Sequence, residues 1–309
     1  MRRPATRWNL AVAGVTGLLL LAAATLLGKS PPEKAPAGAP PSTYWQGVEC
    51  AACHEEVVNS FAKTRHGRAM EFGGWGELRC QSCHGEAVEH VESADPEKIK
   101  NPVKIPGREA TGNCLTCHAS EKRHQLWTGS AHDTSNVSCL DCHSVHHAKS
   151  AEKLLTAAND RDLCLGCHTD LRKAQYQRST HLFRNEWGAS RMGCVNCHQP
   201  HGSAGEKLLK EVSVNETCYE CHTEKRGPFL WEHPPVRENC LNCHTPHGSN
   251  NPGLLTQRPT FLCQSCHLQG RHQTVAGRPN STWLVNRQCL NCHPQIHGSN
   301  HPSGILYHR

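Results

Sequence analysis

Large side chains are scarce in this chain. Its 309 residues include 5 Phe, 4 Tyr, 7 Trp and 3 Met, and aromatics make up 5%. Apolar residues reach 37% only because that figure counts 20 cysteines. An ordinary core of packed aliphatic and aromatic side chains is thereby excluded at this length, and something other than side chains must fill the interior. After Leu27 there is no long apolar run and no alternating strand pattern. The body of the chain therefore cannot cross a bilayer by itself. No glycine-rich phosphate loop is visible, and Asp and Glu are scattered, so no familiar catalytic constellation stands out. With 19 prolines and 25 glycines spread along the chain, long helices are excluded too.

What is present begins with a distinct leader. Arg2, Arg3 and Arg7 precede an uncharged run from Leu10 to Leu27, followed by Lys29 and a Pro/Ala-rich stretch. This pattern is an export signal or an uncleaved N-terminal anchor, and residues 1–39 are assigned to it and its linker. Either way the body leaves the cytoplasm.

Twenty cysteines in an exported chain would ordinarily form a disulfide framework. The spacing here says otherwise, because every cysteine falls in a C-x-x-C-H pentapeptide. In the first half of the chain the pairs are Cys50 and Cys53 before His54, Cys80 and Cys83 before His84, and Cys114 and Cys117 before His118. Cys139 and Cys142 then precede His143, and Cys164 and Cys167 precede His168. In the second half come Cys194, Cys197 and His198, then Cys218, Cys221 and His222, then Cys240, Cys243 and His244. Cys263, Cys266 and His267, and finally Cys289, Cys292 and His293, complete the ten. C-x-x-C-H is the attachment signature of c-type haem: two thiols bond one porphyrin, and the adjacent histidine is the proximal iron ligand. Zinc ribbons also use C-x-x-C pairs, but neither zinc nor disulfides call for a histidine after every second cysteine. Ten covalently attached haem c groups also account for the missing aromatics, since the porphyrins become the core.

Ten of the 24 histidines belong to the pentapeptides. Among the rest, a repeat of roughly fifty residues emerges when the motifs are taken in pairs. A histidine follows each odd-numbered motif: His66, His132, His181, His233 and His272. Another trails each even-numbered motif: His90, His146, His201, His247 and His297. These ten are the candidate distal ligands. A trailing histidine such as His247, three residues after His244, points to the same side of a helical turn. It cannot reach the far face of its own haem and should cap a neighbouring one. Two spacings are irregular: His90 trails by six residues, and His272 follows its motif by only five. His124 competes with His132 and His147 with His146, while His301 and His308 look spare. Methionine can serve at most two sites, through Met70 and Met192, so a nearly all-histidine set implies low potentials.

A haem enzyme needs an open iron position, and this histidine count covers every distal face. Electron transfer is the expected function, with no catalytic residues; a multihaem oxidoreductase with one open haem is the remaining enzymatic reading. The sequence charge of +6 falls to +2 beyond Ala39, where 28 basic and 26 acidic residues remain. Haem propionates and ferric irons would bring the total to roughly −8, so nucleic acid is not an expected partner.

The ten pentapeptides in two sets of five, "FAKTRHG" after the first motif and the ending "CLNCHPQIHGSNHPSG" together resemble the decahaem cytochromes of the MtrA/DmsE type, over about residues 45 to 305. The resemblance implies a multihaem cytochrome c fold of short α-helices and irregular loops packed on ten haems, elongated, with few or no strands. Its two pentahaem halves would be residues 40–185 and 186–309. It also implies bis-histidine ligation and export to the periplasm. The cytochrome would be embedded in an outer-membrane β-barrel, a porin-like partner, exchanging electrons with periplasmic and extracellular redox cytochromes in extracellular respiration or metal oxidation. A soluble periplasmic shuttle feeding a reductase is the alternative. Short helices are expected at or just after the pentapeptides.

Overall fold

The computed structural model describes residues 48–71, 80–150, 152–181, 192–268 and 288–308; the leader assignment and His272 lie outside them. All the described residues belong to one unit, which begins at Thr43. The longest helix, Val48–Ala62, has 15 residues and is kinked at His54 (φ −117°, ψ 39°). Gly107–His118 has 12 residues and Asp160–Cys167 has 8. Elsewhere helices are one or two turns long. Among the described residues, strand pairing is limited to isolated bridges such as His143 with Leu155 and His244 with Leu255. No described helix is long and apolar enough to cross a membrane.

Helical turns coincide with the pentapeptides, as at Cys80–His84 and Cys139–Cys142; Val48–Ala62 continues past the first, and several odd-numbered motifs have a helix running into them. Asn159 accepts a hydrogen bond from the Asp162 amide and Ser213 one from the Glu216 amide, so the caps lie upstream of the cysteines. Each pentapeptide from Cys139 to Cys289 closes one turn, its histidine N–H donating to the carbonyl of its first cysteine; the distance is 2.8 Å at His143 and 3.0 Å at His244. The helix then stops. His168 already has ψ 60° and His222 ψ 51°, which no longer propagates an α-helix. Even-numbered motifs such as Cys194–Asn196 and Cys240–Asn242 are single 3₁₀ turns.

Side chains do not build the interior. The buried hydrophobic residues are Ala87, Ala110, Trp127, Leu154, Leu155, Val214 and Leu254, and no large side chain is completely enclosed among the described residues. Buried polar residues are at least as prominent, and several act as clamps between neighbouring motifs. Thr111 Oγ1 accepts from the Cys139 amide at 3.4 Å, and Asp160 Oδ2 from the Val195 amide at 3.2 Å. Asn215 Oδ1 accepts from the Cys240 amide at 2.8 Å, while its Nδ2 donates to the Val236 and Arg237 carbonyls. In each case a polar residue three or four places before an odd-numbered cysteine receives the start of the next even-numbered motif. A Cβ on Gly193 would lie 2.3 Å from Asp160 Oδ2, so the second clamp requires glycine there.

The turns after the even-numbered motifs repeat a second device. Gly202, Gly248 and Gly298 have φ of +112°, +154° and +137°. A Cβ at these positions would meet the Leu126 carbonyl, the Ala174 carbonyl and the Phe229 ring at 2.0, 2.3 and 2.2 Å. The glycine of "HGS" is where a neighbouring module's backbone or aromatic ring passes. Ser249 pairs with Ser179, and Ser299 with Trp231, through reciprocal backbone bonds beside these crossings.

Candidate haem array

None of the twenty cysteines forms a disulfide. Their sulfurs, thiols here, stand where thioether sulfurs would be once a porphyrin is attached. First cysteines meet in pairs: Cys114 lies beside Cys139, Cys164 beside Cys194, Cys218 beside Cys240, and Cys263 beside Cys289, close enough for each thiol to shift its partner. This contact holds Cys139 down to about 6 and Cys240 down to about 7, while its partner in each pair is pushed up. Second cysteines lie close enough to interact electrostatically in the complementary order: Cys83 with Cys117, Cys142 with Cys167, Cys197 with Cys221, and Cys243 with Cys266. From the second motif to the tenth, every motif is thus a neighbour of the next, alternately through first and second sulfurs.

The histidines pair with equal regularity. Two imidazoles bound on opposite faces of one iron, at about 2.0 Å per metal–nitrogen bond, put their ring centres about 6 Å apart. His54 and His90 are 6.1 Å apart, His84 and His146 6.0 Å, and His66 and His118 5.9 Å. His143 and His201 are 5.9 Å apart, and His132 and His168 6.3 Å. His198 and His247 are 6.1 Å apart, His181 and His222 6.2 Å, His244 and His297 6.1 Å, and His233 and His267 6.2 Å. Each pair couples a pentapeptide histidine with one of the ten histidines singled out from the repeat. His293 has His308 at 4.7 Å, too short a separation to bracket an iron.

The pairing interlocks modules in both directions. The histidine after an odd-numbered motif reaches forward to the next odd-numbered one, as His181 does to His222. The trailing histidine reaches back to the previous even-numbered motif, as His247 does to His198. His90 differs: it pairs with His54 inside its own module. The two irregular spacings in the sequence, at His90 and His272, fall in the terminal modules, where one neighbour is lacking.

Hydrogen bonds fix which ring nitrogen is available. The even-numbered proximal histidines donate Nδ1–H to backbone carbonyls downstream: His84 to Lys100 (2.9 Å), His143 to Lys153 (2.8 Å), His198 to Lys207 (3.0 Å), His244 to Gly253 (2.8 Å) and His293 to Leu306 (2.5 Å). That arrangement leaves Nε2 as the ligating atom. His132 and His181 donate to the Pro200 and Pro246 carbonyls at 2.9 and 3.0 Å, which are the prolines immediately before His201 and His247. Burial lowers the proton affinity of His66, His146, His233 and His247, and brings His201 and His297 down to about 4. These imidazoles are neutral at pH 7, the form a metal requires.

The competitors separate by position. His132, not His124, faces His168. His124 instead lies beside His118 and 4.6 Å from the His201 ring. His146, not His147, is the ring opposite His84. His301 Nδ1 accepts from the Ser303 amide, a local turn role. Neither the carbonyl acceptors, the glycine crossings nor the clamps at Thr111, Asp160 and Asn215 were read from the sequence. A polar residue at matching distance before several odd-numbered cysteines was the available signal for the clamps.

Paired attachment motifs, histidine rings paired about 6 Å apart and a core without large side chains are the setting in which the known relatives become informative. A profile described as "Doubled CXXCH motif" matches residues 188–227 and 233–272, and one described as "Cytochrome c-type protein NrfB-like" matches residues 80–167. The "Multiheme cytochrome MtrA" of Shewanella baltica (strain OS185) is 39% identical over 274 residues, 84% of this chain and 80% of that protein. The chain belongs to the MtrA family of multihaem cytochromes. A more distant relative of this MtrA-type chain is the "High-molecular-weight cytochrome c" of Nitratidesulfovibrio vulgaris, 24% identical over 179 residues, covering 53% of this chain and 28% of that protein. Among solved structures, the "Undecaheme cytochrome from S-layer of Carboxydothermus ferrireducens" is 20% identical, covering 75% of this chain and 33% of that one. Its TM-score is 0.14, and nothing rests on that likeness. As a member of the MtrA family the chain is a multihaem electron-transfer protein, and its C-x-x-C-H pairs hold covalent haem c.

Proposed function

We propose that this MtrA-type chain carries ten haem c groups, each ligated by two imidazoles, and works as a low-potential conduit across the outer membrane inside a β-barrel partner. The observation that carries the ligation is the set of ring separations between 5.9 and 6.3 Å joining pentapeptide histidines to distal candidates. His272 is assigned to the site of His293, which completes the ten. Two imidazoles rather than imidazole and methionine keep the potentials low. Haem supplies an iron that exchanges one electron between ferric and ferrous forms. The chain's own residues would do the rest: the cysteine sulfurs would anchor the porphyrins, carbonyls would fix the tautomers, and buried neutral imidazoles would cap the irons. With every iron capped, no position is left for a substrate, so the protein is not an enzyme.

Support for the conduit comes from family membership and from the motif-to-motif adjacency that runs from the second motif to the tenth. The partners proposed are a porin-like barrel and periplasmic and extracellular cytochromes, following export to the periplasm. Low-temperature EPR of the oxidised protein, with haem quantified per chain, tests the ligation: ten low-spin haems support it, and a high-spin ferric signal overturns it. Liposomes enclosing a redox dye test the conduit. Dye reduction from outside that requires both the cytochrome and its barrel supports it. A cytochrome that purifies without a barrel and reduces soluble acceptors is a periplasmic shuttle.

A further inference from the structure

One proximal histidine is held differently from the rest. His118 Nδ1 lies 2.5 Å from Glu121 Oε1, whereas the even-numbered proximal histidines meet neutral main-chain carbonyls. Another carboxylate, Glu224, stands farther from its histidine, 3.8 Å from His222 Nδ1, where any hydrogen bond is weak. The His118 contact is the shorter of these two histidine–carboxylate approaches by more than 1 Å. The second Glu121 oxygen is 3.4 Å from His124 Nδ1, off the direction of a hydrogen bond. His124 is therefore on the Nδ1 side of His118, and His66, with its ring centre at 5.9 Å, is left to face Nε2 across the iron.

The same site is distinct in a second respect. The His66 and His118 ring planes cross at 87°, against 56° for His132 and His168, 49° for His181 and His222, and 17° to 30° for the other six pairs. Crossed imidazole planes act on the two iron π-type d orbitals almost equally. They give a low-spin ferric EPR signal far more anisotropic than parallel planes do. The third site, the most crossed of the nine pairs, should therefore give the most anisotropic signal.

We propose that Glu121 is a positioning and tuning residue that makes the third haem, held by Cys114, Cys117 and His118, a low-potential station in the array. The inference rests on the two-imidazole ligation proposed above. A carboxylate accepting Nδ1–H draws the proton partly away and enriches Nε2 in electron density. The richer ligand stabilises ferric over ferrous iron, so the potential falls. One electron enters the iron on reduction, and the Nδ1 proton stays on His118. With side chains 36% and 40% exposed, His118 and Glu121 feel solvent screening, which moderates the size of the effect but not its sign.

The test is a redox titration of the haem-loaded protein followed by EPR. In the unmodified protein the most anisotropic ferric signal should be reduced after the ordinary rhombic signals as the potential is lowered. Glu121→Gln keeps an oxygen acceptor and removes the charge, so that signal should move to higher potential while the others stay in place. Glu224→Gln should move nothing. An anisotropic signal that is reduced first in the unmodified protein overturns the proposal without recourse to any variant, and so does one that titrates unchanged in Glu121→Gln. Failure of the ligation reading is distinguishable, because it appears as high-spin iron in the unmodified protein.

Discussion

Odd-numbered and even-numbered pentapeptides carry the same five-residue signature and are held by different means. From the third on, the odd ones lie at the end of a helix begun upstream, side-chain capped in Asp160–Cys167 and Val214–Tyr219. The even ones are single turns whose proximal histidine is latched to a carbonyl in the following loop, as His198 is to Lys207 and His244 to Gly253. An odd motif thus inherits rigidity from the chain before it, and an even motif acquires it from the chain after it. The second histidines follow a related rule, reaching forward to odd sites and back to even ones. A short repeat that cannot bury its own faces gains order from both neighbours at once.

The sharpest way to break this comparison is to remove a back-reaching histidine. His201→Ala should leave the partner of His143 absent and produce one high-spin, carbon-monoxide-binding haem in an otherwise low-spin spectrum. His132→Ala should open the odd site at His168 in the same way. A variant retaining an entirely low-spin spectrum would show that another residue, with His124 nearest to His201, takes over.

Gly248→Ala tests the module crossing. The new methyl would lie 2.3 Å from the Ala174 carbonyl, at a φ of +154°. Thermal unfolding should report a loss of about 1–3 kcal/mol or more. Asn215→Ala removes the clamp on Cys240 and leaves two carbonyls and an amide in search of partners. That change should cost about 1–3 kcal/mol in a denaturant titration and loosen the seventh and eighth motifs first, as seen by hydrogen exchange.

Acid should act on the distal imidazoles. His201 and His297 sit near 4, against 6.5 for an ordinary histidine, because burial opposes their protonation. Between those values the unfolded chain binds more protons than the folded one, so stability falls as pH drops from 6.5 to about 4 and levels off below. Guanidinium midpoints at pH 7 should exceed those at pH 5. The smallest effect is expected at Gly112, which lies inside the helix Gly107–His118 with open space where a methyl group would go. Gly112→Ala should stabilise by about 0.5–1 kcal/mol, a gain visible as a slightly higher melting temperature.

The attachment sites were fully legible because covalent chemistry demands contiguous residues: cysteine, two spacers, cysteine, histidine. The distal candidates were legible through their rhythm, since they recur in step with the motifs. Their destinations were not, because a partner such as His146 for His84 is chosen by how successive modules fold over each other. The helices were expected at or just after the pentapeptides, and turns such as Cys80–His84 and Cys139–Cys142 lie there; the upstream starts capped by Asn159 and Ser213 were not foreseen. Glu121 was invisible for a further reason. Acidic residues also follow His168 and His222, as Asp170 and Glu224, and only three-dimensional geometry distinguishes the one that reaches an imidazole nitrogen.

The two-way reach of the histidines also sets a schedule. A chain emerges N-terminus first, so an odd site finds its second histidine already made: His66 precedes His118, and His181 precedes His222. An even site must wait, His84 until His146 appears and His198 until His247. The first site is self-sufficient within its module, with His90 close behind His54, and so is the tenth on the proposed pairing of His272 with His293. Maturation on that pairing therefore trails synthesis by one module for the second to the eighth motif, and a chain interrupted midway carries an incompletely capped even-numbered iron at its growing end.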